Sequence, residues 1–302
     1  MHPATLQINV SPGDLNICSK LLERQILFWY NELDEILISV ESKKSAGRFG
    51  LNFDENQLAL VNLIESLEKK FPKVRHHFID YSESRNKRLS NKYLGGSHLP
   101  EKDYRGGPFY CYFDGLEECR NRYVMHLDSD MIIGGTPNTW IQDAIDSLHT
   151  GENIFFVNPF PGPPAKDFSI KQNYFKRAGN NYFFQKMSTR VFLVDRNRLN
   201  AYPLRPRKIR KTLKSLKWFL KNKLTWGYEL PEIFISEMME KNKLLRLDTA
   251  GKQICYTLHP LLKPKTFIDA LPGLLEKIDR NEIPESQYGQ YNIQNEFFDF
   301  RK

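Results

Sequence analysis

The hydrophobic residues of the first 127 positions switch repeatedly between two periods, and that switching limits the fold more than any other property of the chain. Residues 6–10 read as a strand, Ser11-Pro12-Gly13-Asp14 as a turn and helix cap, and residues 15–30 place Leu21, Leu22, Ile26 and Trp29 at helical spacing. Residues 36–40 form a second apolar strand ending at Glu41-Ser42, and residues 57–70 return to the helical period through Leu58, Val61, Ile64 and Leu67. A third strand is expected at 74–79, a polar loop at 80–103, a helix at 108–120 and a fourth strand at 123–127. Strands separated by helices pair in parallel. The expected class is therefore α/β, with a central, mostly parallel mixed sheet flanked by helices.

The fourth strand, Tyr123-Val124-Met125-His126-Leu127, stops abruptly at Asp128-Ser129-Asp130. In an open α/β sheet, ligands bind in the crevice at the carboxyl ends of the strands, and two carboxylates at i and i+2 can present oxygens to one hard divalent cation. The triplet is common by chance, so its context matters, and the plainer reading is a solvated turn. Gly134-Gly135 lets the backbone turn sharply, and Asn138 is placed to cap a helix over 139–149. A short strand follows at 154–157, and Asn158-Pro159-Phe160-Pro161-Gly162-Pro163-Pro164 reads as a surface loop, since prolines suit neither a helix nor a central strand. Further strands are expected at 190–194, 244–247 and 254–258, with a helix at 231–242 that carries Pro231 in its first turn. The polar residues 281–302 form either a docked arm or a partly disordered tail.

At 302 residues, 40% hydrophobic and 26% charged, the chain can bury a large core, and one domain over 1–302 is expected. No apolar run approaches the ~20 residues that cross a bilayer. Met1-His2-Pro3-Ala4-Thr5 leads into a strand without a signal-peptide core, so a cytoplasmic location is expected. Cys18, Cys111, Cys119 and Cys255 lack the close-set pairs of a zinc site and read as reduced core thiols. The run 205–223 holds Arg205, Arg207, Lys208, Arg210, Lys211, Lys214, Lys217, Lys221 and Lys223 without an acid, and its apolar residues share one helical face. Such a helix either lies on the inner face of an anionic membrane or packs its stripe on the domain as a solvated helix. Net charge +8 raises nucleic-acid binding, but the charge is concentrated in this run and no nucleic-acid motif appears.

The order of elements up to His126-Leu127-Asp128-Ser129-Asp130 resembles the GT-A glycosyltransferases, specifically the family 2-like group. The resemblance covers about residues 5–260, with 5–130 as the nucleotide-sugar half, 131–260 as the acceptor half with the basic insertion at 203–225, and 261–302 as a C-terminal tail. Asp103-Tyr104-Arg105-Gly106-Gly107-Pro108 resembles the Gly-rich segment of that superfamily. Trp226-Gly227-Tyr228-Glu229-Leu230 resembles the segment that opens the acceptor-side helix, and Thr257-Leu258-His259-Pro260 the C-terminal histidine element.

This resemblance implies a nucleotide-sugar donor, Mn²⁺ or Mg²⁺, and a glycan or lipid-linked acceptor. Asp130 is then the direct metal ligand, Asp128 contacts the ribose or a metal-bound water, and His259 adds a nitrogen ligand that favours Mn²⁺. Arg105 would pair with the diphosphate or with Asp128, Gly106 and Gly107 would let the backbone approach the donor, and Glu41 would face the base or ribose. Transfer with inversion needs a base for the acceptor hydroxyl. Glu229 is the candidate, but Leu230 stands where the family has Asp and Glu232 lies close by, so both acids stay open, as does retention. Either acid also suits the helix N-terminus.

Two rivals share parts of this pattern. A HAD-like phosphatase also has an apolar strand followed by Asp-x-Asp, but wants it near the chain start with a later acidic cluster that is missing here. A nucleotidyltransferase shares the fold and the metal logic, and differs in releasing pyrophosphate.

Overall fold

The computed structural model describes residues 2–45, 47–136, 139–151, 153–209 and 227–300. Its first half follows the expected alternation: β1 (Ala4–Val10), α1 (Leu15–Trp29), β2 (Glu35–Val40), α2 (Phe53–Lys70), β3 (Val74–Phe78), α3 (Glu83–Leu94), α4 (Tyr110–Glu118) and β4 (Tyr123–Asp128). The second half adds β5 (Ile132–Gly135), α5 (Trp140–Thr150), β6 (Ile154–Pro161), β7 (Lys176–Ala178), β8 (Asn181–Phe184), β9 (Val191–Asp195) and a short α6 (Arg196–Leu199). It closes with α7 (Pro231–Lys241), β10 (Leu245–Thr249), β11 (Cys255–Leu258) and α8 (Lys265–Asp279).

These strands build one mixed sheet in the order β3-β2-β1-β4-β9-β6-β10-β8-β7, with β11 pairing both β6 and β5. The first four strands run parallel. β9 enters antiparallel between β4 and β6, while β10 and β11 run parallel to β6. The fold is thus α/β, with a large mixed sheet flanked by helices.

Strand period 2 sends alternate residues to opposite faces, so both faces must be covered. Ile36, Ile38 and Val40 join α1, α2 and α5 in one core, whereas Leu37, Val124 and Phe192 join α3, α4 and α7 in another. A third core forms where β5, β8 and β11 meet α8 and the C-terminal arm, burying Ile293 and Phe297. The arm at 281–300 is therefore docked. All four cysteines are free and buried, as expected.

Several segments depart from the sequence expectation, each for a local reason. The expected loop at 80–103 contains α3: Ser82 accepts from the Arg85 N–H, Gly95 ends the helix at φ 59°, and the buried face includes Arg85, paired with Asp114. A buried charge in that stripe hid the periodicity. In α2 the core takes Leu60, Ile64 and Leu67 while Leu58 is 72% exposed, because at helical spacing Leu58 lies on the side opposite Leu60 and Leu67.

Gly134 and Gly135 form a strand end rather than a turn. A Cβ on Gly135, which takes φ 91°, would stand 1.9 Å from the Ile254 carbonyl oxygen beside β11, so glycine is needed where the two strands pair. Residues 158–161, expected in a loop, complete the fully buried β6. β9 pairs with β6 only at Phe156 and Val157, so beyond Val157 that margin has no ladder for Pro159 or Pro161 to interrupt. The sheet opens there, and the opening becomes the site. Asn138 and most of the basic run, residues 210–223, lie outside the described residues.

Candidate functional site

Asp128 ends β4 at the far terminus of a buried polar chain. Gln7 of β1 donates through Nε2 to Asn9 Oδ1 and to Ser39 Oγ of β2 (3.0 Å), and its carbonyl oxygen meets His126 Nδ1. His126, fully buried, faces Asp128 Oδ1 through Nε2 at 3.1 Å, and the Tyr112 hydroxyl lies 3.4 Å from the same oxygen. The turn beyond is held from below by Gln25 of α1, whose Nε2 donates to the carbonyls of Asp128, Ser129 and Met131. Parallel pairing thus aligns the ends of three strands under one carboxylate, and the relay fixes its rotamer.

Asp130 is held differently. Its Oδ2 accepts from Lys263 Nζ at 2.7 Å, while Oδ1 is buried with no hydrogen-bond partner. Burial works against its charge, yet Lys263, with His259 and Arg190, holds the carboxyl below the usual carboxylate range. Lys263 also lies 3.6 Å from Asp14. Burial and the charges of Asp130 and Asp128 push the Asp14 carboxyl up. The sequence suggested Asp14 as a helix cap. Its side chain makes no capping bond and instead completes an acidic cluster around the Lys263 ammonium.

His259 sits at the end of β11 with its ring stacked on Tyr291, centroids 5.9 Å apart, and Nδ1 bonds Asn292 Oδ1 at 3.2 Å. Burial and the Arg190 guanidinium push its pKa below the ordinary value, which leaves a neutral ring whose Nε2 lone pair is free for a ligand. The donor set of Asp128, Asp130 and His259 suits a divalent cation, and the orphaned Asp130 Oδ1 is the atom that invites one. Convergence is incomplete. Among the described residues no three His, Cys, Asp or Glu side chains gather as a coordination sphere, and Lys263 supplies the positive charge beside Asp130.

The Gly-rich segment folds on itself. Asp103 accepts from the N–H groups of Arg105 and Gly107 and from the Arg105 guanidinium at 2.8 Å. Arg105 therefore pairs with Asp103 and not with Asp128. Gly106 takes φ 81°, and a Cβ on Gly107 would stand 2.7 Å from the Asp103 carboxylate, so these glycines serve the turn. The turn is tied to the segment before α7, with the Tyr104 N–H donating to Tyr228 O at 2.8 Å. Glu41, buried at the end of β2, accepts the single Tyr81 hydroxyl proton between its two oxygens, each 3.0 Å away, and pairs with Lys102.

Between these elements lies a cavity of about 230 Å³, lined by Asn158 and Pro159 of β6, Arg190, Glu232 of α7, Arg246 and Asp248 of β10, Thr257 and Tyr291. Its charge pattern was not legible in the sequence. Arg246 forks onto Asp248 (2.7 and 3.0 Å), donates to Lys186 O and lies 4.1 Å above the Phe184 ring. Burial pushes the Asp248 carboxyl up to about 6, with Arg246 pulling the other way. Arg190 is exposed. Among the described residues no hydrogen bond or ion pair engages its guanidinium, which feels Asp128, Asp130 and Glu232. Of the two candidate bases, Glu232 lines the cavity, with Thr189 Oγ1 3.5 Å away. Glu229 does not line it, and its backbone N–H bonds Arg207 O. A run of basic and acidic residues gives no sign of which will be left unpaired. The i, i+2 spacing of Arg246 and Asp248 was the one available signal, since it puts both on one strand face.

No known protein family profile matches the chain, and no curated protein sequence pairs with it. Solved structures do. A mycobacterial protein aligns at 12% identity over 94% of this chain and 76% of its own, with TM-score 0.41. TarS of S. aureus, solved with UDP-GlcNAc, aligns at 10% identity over 84% of this chain and 58% of its own, with TM-score 0.40. Glucosyl-3-phosphoglycerate synthase from Mycobacterium tuberculosis, solved with Mn²⁺, UDP and phosphoglyceric acid, aligns at 14% identity over 53% of this chain and 43% of its own, with TM-score 0.29. The chain spans 58% or less of the length of the last two proteins, and likeness this distant assigns no activity.

Proposed function

We propose that the chain is a metal-dependent glycosyltransferase of the GT-A type, which transfers a sugar from a nucleotide-sugar donor. The observation that carries this reading is the buried, unpartnered Oδ1 of Asp130 at the carboxyl end of β4, in a sheet whose neighbouring strands β1 and β2 end beside it. Asp130, Asp128 and His259 Nε2 would hold Mn²⁺, or Mg²⁺, with Lys263 giving way. When bound, that ion offsets the charge of the diphosphate leaving group as a Lewis acid.

The side chains divide the remaining work. Arg190, exposed and unpaired among the described residues, takes the diphosphate role that the sequence suggested for Arg105, since its fork matches two phosphate oxygens. Glu41, Tyr81 and Lys102 form the wall at the end of β2 where the base or ribose would lie, and Gly106-Gly107 shape the loop beside it. Glu232 is the base that removes the acceptor hydroxyl proton, because it is the carboxylate that reaches the cavity from the acceptor-side helix. A glycan or lipid-linked acceptor fits the same reading. Contact of residues 205–223 with a membrane is kept as part of it. No helix among the described residues is long and apolar enough to cross one.

Thermal shift against a panel of nucleotide sugars, with and without Mn²⁺, tests the proposal. A donor at 100 times its Kd stabilises by about 2.7 kcal/mol, and Asp130→Ala should abolish the Mn²⁺-dependent part of that shift. No shift with any donor, or the same Mn²⁺ dependence in the variant, overturns the reading. Product analysis separates it from nucleotidyl transfer: a nucleoside diphosphate is expected, and pyrophosphate would assign the site to the rival chemistry.

A further inference from the structure

The cavity that opens where β9 parts from β6 holds buried polar atoms that the protein itself leaves without partners. Asn158 Oδ1 and Thr257 Oγ1 belong to residues 3% and 1% exposed, and Gln172 Nε2 joins them on the same lining. A buried polar atom without a partner costs about 1–3 kcal/mol, and native proteins hold few of them. With Ser188 Oγ, four such atoms on one lining point to a ligand that supplies the missing bonds.

Size and donor pattern narrow that ligand. At about 230 Å³ the cavity falls below the ~300–1,000 Å³ of drug-sized sites, so it admits one ring. Its unpaired groups are an amide oxygen, two hydroxyls and an amide N–H, with the outer lone pairs of the Asp248 carboxylate alongside. Mixed donors and acceptors complement vicinal hydroxyls, each of which both gives and accepts a hydrogen bond. A phosphate would need donors alone, and an apolar group would need none. Charge narrows it further. The lining carries two guanidiniums, Arg190 and Arg246, and two carboxylates, Glu232 and Asp248, and Arg246 is already bound to Asp248 and the Lys186 carbonyl, so the hollow offers no surplus charge to an ionic ring. Arg190 lies on the side of Asp128 and Asp130, where its diphosphate role in the reading above places it.

We propose that this cavity seats the donor's sugar ring, that the ring is an uncharged hexose, and that Asp248 with Asn158 and Thr257 reads its hydroxyls. The inference rests on the glycosyltransferase reading above and adds to it the class of sugar and the residues that select it.

Isothermal titration of the full chain with Mn²⁺ tests it, using UDP and GDP, then UDP-glucose against UDP-glucuronate and GDP-mannose against GDP-mannuronate. For whichever nucleotide binds, the neutral sugar should tighten binding at least tenfold over the bare diphosphate, and the uronate should not. Asp248→Asn and the isosteric Thr257→Val should each remove most of that gain while leaving the affinity for the bare diphosphate within about twofold. Thr257→Val keeps the test alive if Asp248→Asn fails to fold. Equal affinity for diphosphate and neutral sugar nucleotide in the wild type, a preference for the uronate, or a gain that survives Thr257→Val overturns the inference while the donor reading stands. Binding of neither nucleotide removes both.

Discussion

On the parallel side of the sheet, Asp128 closes a chain of hydrogen bonds through His126, Gln7 and Ser39, and every link lies on a strand the chain lays down early. On the mixed side, where β9 parts from β6 after Val157, Asn158 Oδ1 and Thr257 Oγ1 are buried without a hydrogen-bond partner. The first arrangement spends its polar groups on fixing one carboxylate. The second holds them ready for something that is not protein. A satisfied network rigidifies, whereas an unsatisfied one carries a penalty that a bound ligand can remove. Asp130 stands between the two regimes, with one oxygen on Lys263 and the other orphaned.

The sharpest way to break this comparison is at its acidic rim. Glu232→Gln should lower kcat by about 10²–10⁴-fold with little change in donor affinity, while Glu229→Gln should leave both within a few-fold. Steady-state kinetics with the donor found in the binding screen reads this, and the reverse ranking would move the base to Glu229. A smaller effect is expected from the relay. His126→Phe keeps a ring in the core but frees Asp128, and should cost about 10–100-fold in Mn²⁺ affinity without lowering the melting temperature in proportion. Mn²⁺ titration by electron paramagnetic resonance decides it, and unchanged affinity would make the relay purely structural.

The mildest expected effect is on pH dependence. The Asp248 carboxyl is pushed up to about 6 in the folded chain, so between about pH 4 and 6 the folded state binds more protons than the unfolded one. Its contribution to stability is therefore fully present below the unfolded value and is lost as pH rises through about 6. Glu32, pushed up to about 7 chiefly by burial, acts with the same sign. The urea midpoint of the wild type should fall relative to Asp248→Asn across pH 4–6 and run parallel to it above. Parallel curves over the whole range would place the Asp248 pKa at the ordinary value.

Much of the parallel half was legible because its signals are local. The apolar runs at β1, β2 and β4 and the stop at Asp128-Ser129-Asp130 need only neighbours in sequence to be read. The failures share a cause. Helix α3 hides behind a buried Arg85 that makes sense only with Asp114 of α4, and β6 keeps its prolines only because β9 turns away. At the site, Arg105 carries the composition expected of a phosphate ligand, yet Asp103 two residues earlier consumes it. Arg190 carries no motif at all, and among the described residues none pairs with its guanidinium. Which charge is spent and which is available depends on partners distant in the chain, and single-sequence reading has no access to them.

What the sequence alone determined is therefore the α/β class, the order of the first four strands and the position of the two carboxylates at a strand end, since each follows from hydrophobic period and turn chemistry. The tertiary structure decided the rest. It brought Asp14 and Lys263 to Asp130, withdrew Arg105 into its own turn, set Arg190 loose, and gathered Asn158, Asp248 and Thr257 from three strands around one cavity. Pattern fixes which residues are buried, but only the packed fold fixes which of them have partners.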